Sequence, residues 1–483
     1  MTKNVDTTYP WIDGKDHKIS DTRVEALHAP WNGELVAKVA MADNATIETA
    51  VSSSYNAFQK NIGASAAERA VWLRDAANEL EKEKDAIAEI TMRALGKPRR
   101  ACGVEVGRSV AFPRLCAEEL LRMEGEVLPL DALPMGAGRF GFTRHHPHGV
   151  VAAFTPFNAP SNLLMQKLAP ALAMGNSVLI KPAFEGVGEA ILIAKCFSRA
   201  GVPDGLVNVV PCRRDVTGYL VSHRNIALVT LTGGTAAGNA LAGAAGAKPF
   251  VGELGGNSAN IVCADANLED AAKRIVPSAF EASGQQCISA QRVIVEKSAL
   301  DEFLTHFIKA AKALKVGDPT LIETDVGPMV NAANADRVEK MVADAVLAGA
   351  KDALPVKRKD NIIYPTILVD PPRNTSVVTD EIFGPVAVVL GANDVEEAIS
   401  IANDSNFGLQ SSCFTSSLET AFKMSEELHV GSVWINEGSR FRMDTTPFGG
   451  VGDSGYGREG VKYAMEELSY TKFTGIRFPG REM

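Results

Sequence analysis

The chain has 483 residues, 46% of them hydrophobic and 22% charged, with a net charge of −9. That length exceeds one ordinary core and predicts about two to three domains. The acidic balance, without a long Lys/Arg run, argues against nucleic acid or an anionic membrane as the main partner.

No apolar stretch approaches the ~20 residues of a membrane span, and Met1–Asp6 has no apolar segment, so neither an anchor nor a secretory signal is expected. The seven cysteines are scattered, with no Cys-x-x-Cys pair. Neither a disulfide framework nor a zinc or other metal site follows, and a reducing, cytoplasmic setting is expected.

Taken in order, residues 44–94 read as two amphipathic helices, with Ala70, Leu73, Ala77 and Leu80 on one face and Asn44 as the expected N-cap. A helix is predicted over 104–122, with Pro113 expected to kink or break it. Residues 128–130 and 139–144 alternate around Pro134-Met135-Gly136-Ala137-Gly138, which predicts a hairpin that either packs on another subunit or lies as a surface flap. From Val150 strands (150–154, 177–180, 206–210, 227–231) alternate with helices (163–173, 189–199), the pattern of parallel βαβ units. A second succession follows: strand 259–263, helix 268–282, strand 292–295, helices 300–314 and 332–347. It predicts a second α/β domain, with Cys287 near the junction of the two.

Chemistry-bearing residues sit at the ends of these elements. Thr232-Gly233-Gly234-Thr235-Ala236-Ala237-Gly238 opens an Ala-rich helix, where backbone N–H groups can approach a pyrophosphate; alone it is little more than a tight turn. Cys287 follows Ser283-Gly284, a place for a sharp turn. Read alone, such a cysteine is a small buried hydrophobe. Glu253 lies in the apolar, glycine-rich run Val251–Ser258, 34 positions ahead of Cys287, where a carboxyl is expected to titrate high. Alone it reads as a surface carboxylate. Thr155-Pro156-Phe157-Asn158 follows a strand, Lys181-Pro182 stands 23 positions after Asn158, and Glu381-Ile382-Phe383-Gly384-Pro385, Pro447-Phe448-Gly449-Gly450 and Ser454-Gly455-Tyr456-Gly457-Arg458-Glu459 come later. Lys181 alone is a solvated strand-end lysine and Asn158 a turn former before Pro160.

In this order, from Phe154 to Glu459, the motifs resemble the aldehyde dehydrogenase superfamily. The resemblance implies two doubly wound parallel-sheet domains: a Rossmann-like cofactor domain (1–124 with 148–252) and a catalytic domain (253–449). It also implies a β oligomerisation arm (125–147 with 465–483), reached by a returning segment (450–464). It casts Cys287 as the nucleophile, Asn158 with the Cys287 N–H as the oxyanion hole, Glu253 as the base that activates water, and Lys167 in a proton relay. Lys181 is expected at the adenosine ribose, Gly233, Gly234 and Gly238 at the pyrophosphate, Glu381 at the nicotinamide ribose and Phe383 at the nicotinamide. Thr155, Pro156, Phe157 and Leu254 complete the expected cofactor contacts.

Glu253 favours hydrolysis over the CoA-acylating branch, the second possibility; a non-catalytic cofactor-binding protein is the third. NAD is the expected cofactor. NADP is also possible, because Phe184 stands where many NAD-using members carry a ribose-binding glutamate. Gly452 replaces a customary lysine. Arg440 and Arg442 either read a short anionic aldehyde or bind neighbouring acids. Gln166 and Phe448 join them as expected substrate contacts, Gln166 implying a polar tunnel. A homodimer or homotetramer is implied, with residues 470–473 expected to add strands across a subunit boundary.

Overall fold

A computed structural model describes residues 5–20 and 23–479. The expected N-terminal and C-terminal extremes, 1–4 and 480–483, lie outside the described residues, as do 21–22. Among the described residues no helix is long and apolar enough to cross a membrane.

Long helices come first. Asn44–Asn61 is capped by Asp43, whose carboxylate accepts from the Thr46 N–H, so Asn44 is the first helical residue and not the cap expected from sequence. Ala66–Leu95 begins with a reciprocal Ser65/Glu68 capping box and ends at Gly96, left-handed at φ +67. Arg99–Leu120 runs unbroken through Pro113, contrary to the expected break. Pro113, Phe112 and Cys116 are buried, and packing on neighbouring helices holds a turn that has lost one backbone hydrogen bond.

The first sheet runs in the order Gly455–Tyr456, Phe250–Glu253, Ile226–Thr232, Val150–Thr155, Ser177–Pro182, Val207–Val209, Trp11–Ile12, Lys15–Asp16. Its five central strands are parallel, and the edge pairs are antiparallel. Every residue of Val150–Thr155 is buried, as expected of a sheet covered by helices on both faces. The chain leaves Val150–Thr155 for the strands on one side and returns at Ile226–Thr232 on the other. The switch point therefore opens a crevice at the carboxyl ends of these two neighbours.

The second sheet has seven strands, Lys351–Leu354, Thr366–Val369, Val386–Ala392, Ala290–Glu296, Ser258–Val262, Gln410–Phe414 and Ser432–Ile435, parallel except for the first. A third sheet joins Val127–Leu128, Arg139–Pro147 and Ser469–Arg477. Within the chain, the C-terminal strand pairs with Arg139–Pro147, in register from Ser469↔Pro147 to Arg477↔Arg139. It forms the open edge of that sheet.

Candidate active site

Helix Leu268–Phe280 ends two residues earlier than expected, and the chain reverses through a left-handed turn: Ala282, Ser283 and Gly284 have φ of +50, +60 and +63. Only the glycine adopts this without steric cost. Side-chain hydroxyls brace the turn at Ser283 and Gly284. Ser283 Oγ donates to the carbonyls of Gly327 (2.8 Å) and Pro328 (3.2 Å), and Ser289 Oγ donates to that of Gly284 (3.0 Å). Cys287 follows the turn, just before strand Ala290–Glu296. Gly256 lies directly beneath it, where a Cβ would overlap the Cys287 carbonyl oxygen.

Cys287 is partly exposed and lines a cleft of about 630 Å³ at the switch point of the first sheet. Thr155, Pro156, Phe157 and Asn158 come to the same cleft from the end of one strand, Gly233 and Gly234 from its neighbour Ile226–Thr232, Leu254 from Phe250–Glu253 beyond that, and Lys181 from the neighbour on the other side. Glu381 and Phe383 close it from the second sheet's side. Gly238 is not in the wall. Its lack of a side chain lets helix Thr235–Ala245 pack on Leu254, whose Cδ2 would lie 2.5 Å from a Cβ there.

These residues fit a dinucleotide. The helix Thr235–Ala245 starts in the cleft without a side-chain cap, so its first N–H groups are free for a phosphate. Lys181 and Arg214 line the same end, and neither side chain has an ion pair or hydrogen bond among the described residues. At the other end, burial pushes the Glu381 carboxyl up to about 7 against the opposing pull of the Gly256 N–H (3.0 Å) and Arg337. Arg337 donates to the Ile382 carbonyl at 2.6 Å and fixes this loop. Phe383, at φ +48, meets the Phe157 ring edge-on at 5.8 Å.

Behind the thiol is a buried cluster of charge. Glu459 accepts from Lys167 Nζ (2.7 Å) and Arg442 Nη2 (3.1 Å); burial opposes its ionisation, but the two cations prevail and hold it below the usual carboxylate range. Glu253 is as deeply buried, and among the described residues neither of its oxygens has a hydrogen-bond partner. Burial first and the Glu459 charge second push it well above the ordinary range. Burial, with the charges of Glu381, Glu253 and Glu459 and against that of Arg442, raises the Cys287 thiol to about 12.

On the other side of the sulfur, Cys287 packs with Ile288, Leu409 and Phe448. The Arg442 guanidinium stacks on Phe448 at 3.7 Å, and its Nε is buried without a partner. Arg440 is drawn away by Glu281 and Gln286. Gln166 donates to Asp444 at 2.7 Å, and Asp444 also pairs with Arg108.

The aldehyde dehydrogenase family profile matches residues 17–474. The chain belongs to the aldehyde dehydrogenase family. It is 38% identical to the 3-sulfolactaldehyde dehydrogenase of Priestia aryabhattai, over 90% of this chain and 91% of that one. It is 35% identical to the NADP-dependent glyceraldehyde-3-phosphate dehydrogenase of Streptococcus equinus, over 96% of this chain and 97% of that one. Among solved structures it is similar to aldehyde dehydrogenase 21 from Physcomitrella patens, in complex with the reaction product succinate: TM-score 0.95, 32% identity, covering 99% of this chain and 100% of that one. This aldehyde dehydrogenase oxidises an aldehyde to the carboxylic acid, with NAD or NADP as oxidant.

Several residues of the site went unread in the sequence. Glu459 is visible there as the end of a motif but carries no sign of its partners. Arg337, Arg214 and Arg108 come from helices that resemble any other surface helix, and only folding aims them inward. Gly452 now has a physical account: it is left-handed at φ +58, and a Cβ there would lie 2.6 Å from the Asn406 carbonyl oxygen, a poor place for a lysine.

Proposed function

We propose that Cys287 is the nucleophile of a hydrolytic aldehyde oxidation. The observation that carries this is Cys287 in the wall of the same cleft as Asn158 and Glu381, with the unpartnered Glu253 carboxyl close enough to shift the thiol's titration. Sγ adds to the aldehyde carbon, its proton passes to ionised Glu253 and on to solvent, which leaves Glu253 ionised again, and the oxyanion is held by the Asn158 amide and the Cys287 N–H. Bound NAD(P)+ supplies the acceptor for the hydride. Glu253 then takes a proton from the water that cleaves the thioester, releasing the acid and restoring the thiol. Lys167 and Arg442 keep Glu459 ionised, and its charge sets how readily Glu253 gives up its proton.

The substrate is a short aldehyde bearing an anionic group. The named relatives act on a sulfonated and a phosphorylated aldehyde, and the moss enzyme holds a dicarboxylate. Arg442 stacks on Phe448, which packs against Cys287, and its buried Nε has no partner among the described residues, which leaves it a donor for that anion. Arg214 beside Lys181, with no carboxylate at Phe184, suits a 2′-phosphate as well as a hydroxyl and supports use of both cofactors. Residues 125–147 and 465–479 form an oligomerisation arm, supported by the open nine-residue edge Ser469–Arg477. Seven free thiols suit a reducing, cytoplasmic setting.

The test is reduced-cofactor formation at 340 nm with anionic aldehydes and neutral isosteres. Cys287→Ala should abolish turnover, and Glu253→Gln should lower steady-state turnover by about a hundredfold or more. Acceleration by CoA with release of acyl-CoA would overturn the hydrolytic reading. Equal kcat/KM for the charged and neutral aldehydes, unchanged in Arg442→Ala, would overturn the substrate class.

A further inference from the structure

Asn158 lies in the short link between strand Val150–Thr155 and helix Pro160–Ala173, and that helix lacks a side-chain cap of its own at Ala159. Its exposed N–H groups are met from elsewhere. Glu105, on helix Arg99–Leu120, accepts through Oε1 from the N–H of Ser161 (2.9 Å), the Ser161 hydroxyl (2.8 Å) and the N–H of Asn162 (3.2 Å). The other Glu105 oxygen pairs with Lys97 Nζ, and both side chains are buried, 5% and 7% exposed. Lys97 Nζ donates in turn to the main-chain carbonyl of Asn158 at 2.9 Å.

Lys97 itself is placed by the tightest of links, Gly96-Lys97-Pro98, between two helices of 30 and 22 residues. A Cβ on Gly96 would overlap the Pro328 ring, so the link has little freedom to shift. One buried ion pair thus grips both ends of the segment 158–162. Neither charged group lines the large cleft, so neither meets the reacting atoms.

We propose that Lys97, balanced by Glu105, is a positioning residue that fixes the Asn158 backbone and so aims its side-chain amide at the oxyanion. A buried ammonium with an unfilled donor is costly, so this carbonyl is held in one place rather than sampled among several. This inference rests on the reading of Asn158 as the oxyanion donor.

The test is a double-mutant cycle in the full-length enzyme with NAD(P)+ and its best aldehyde. Asn158→Ala is expected to lower kcat about 10²–10³-fold. Lys97→Met should lower kcat at least about tenfold, with cofactor affinity by calorimetry unchanged, and should cost nothing further in the Asn158→Ala background. Lys97→Arg, which keeps a donor, should recover most of the loss. If Lys97→Met does not fold, Glu105→Gln keeps the acceptor toward Ser161 and removes the counter-charge, and the same non-additivity is expected. A wild-type kcat in the Lys97→Met variant, or losses that multiply in the double variant, would overturn the positioning role. Full activity in Asn158→Ala would instead overturn the oxyanion reading itself.

Discussion

Two carboxyls, Glu253 and Glu459, share one buried region and divide its charge unequally. Glu459 has Lys167 and Arg442; among the described residues Glu253 has no hydrogen-bond partner, and burial raises its titration. Since the ionised form of Glu253 does the work, kcat should climb with pH along a limb well above the ordinary carboxylate range. Glu459→Gln deletes the like charge and frees Lys167 and Arg442 for Glu253, so the limb should move to lower pH; a limb that stays in place in a pH–rate profile would contradict the coupling. How far such a cluster can be read from sequence depends on what makes it. Cys287, Asn158 and Glu253 stand in runs whose small neighbours mark them out, and these runs do meet at one cleft or beside it. The pairing of Glu459 with Lys167 spans 292 positions and leaves no trace in either neighbourhood.

At the scale of elements, nearly every strand and helix expected from periodicity is present, and the deviations are at ends. Asp43 displaced Asn44 as cap because its carboxylate reaches the Thr46 N–H and hydroxyl together. Helix Leu268–Phe280 stopped short because the following residues are needed left-handed, which composition announces at Gly284 but not at Ala282 or Ser283. Pro113 shows the reverse, tertiary packing overriding a breaker. The nucleophile's loop is then seated on Gly256, with Gln291 bridging the Gly256 carbonyl (2.7 Å) to the Ile382 N–H (2.5 Å). Gly256→Ala forces a methyl into the Cys287 carbonyl. It should lower kcat by more than about tenfold, against a loss of stability of about 1–3 kcal/mol from overpacking. Wild-type turnover with an unshifted melting curve would show that the loop yields freely.

For the whole molecule, the two parallel sheets were legible as alternating strands and helices, but their order was not, because strand neighbours are set by crossovers no local pattern records. The third sheet illustrates this: residues 470–473 are legible as a strand, but nothing local records that Arg139–Pro147 is their neighbour within the chain. Tyr470, Phe473 and Ile476 remain exposed on it, 45%, 52% and 41%. A strand edge with such side chains invites a second copy. Tyr470→Glu with Phe473→Glu should therefore shift the mass measured by light scattering toward the monomer, and an unchanged mass would remove this surface from the assembly.

The segment Val451–Tyr456 belongs to both halves at once. Val451–Gly452 ladders onto Phe407–Gly408, Gly455–Tyr456 onto Gly252 and Glu253, and Ser454 bonds to Gly255 and Gly408 between them. Like a seam sewn through two layers of cloth, it ties the halves together. Any swing of one half against the other must therefore strain or peel this segment.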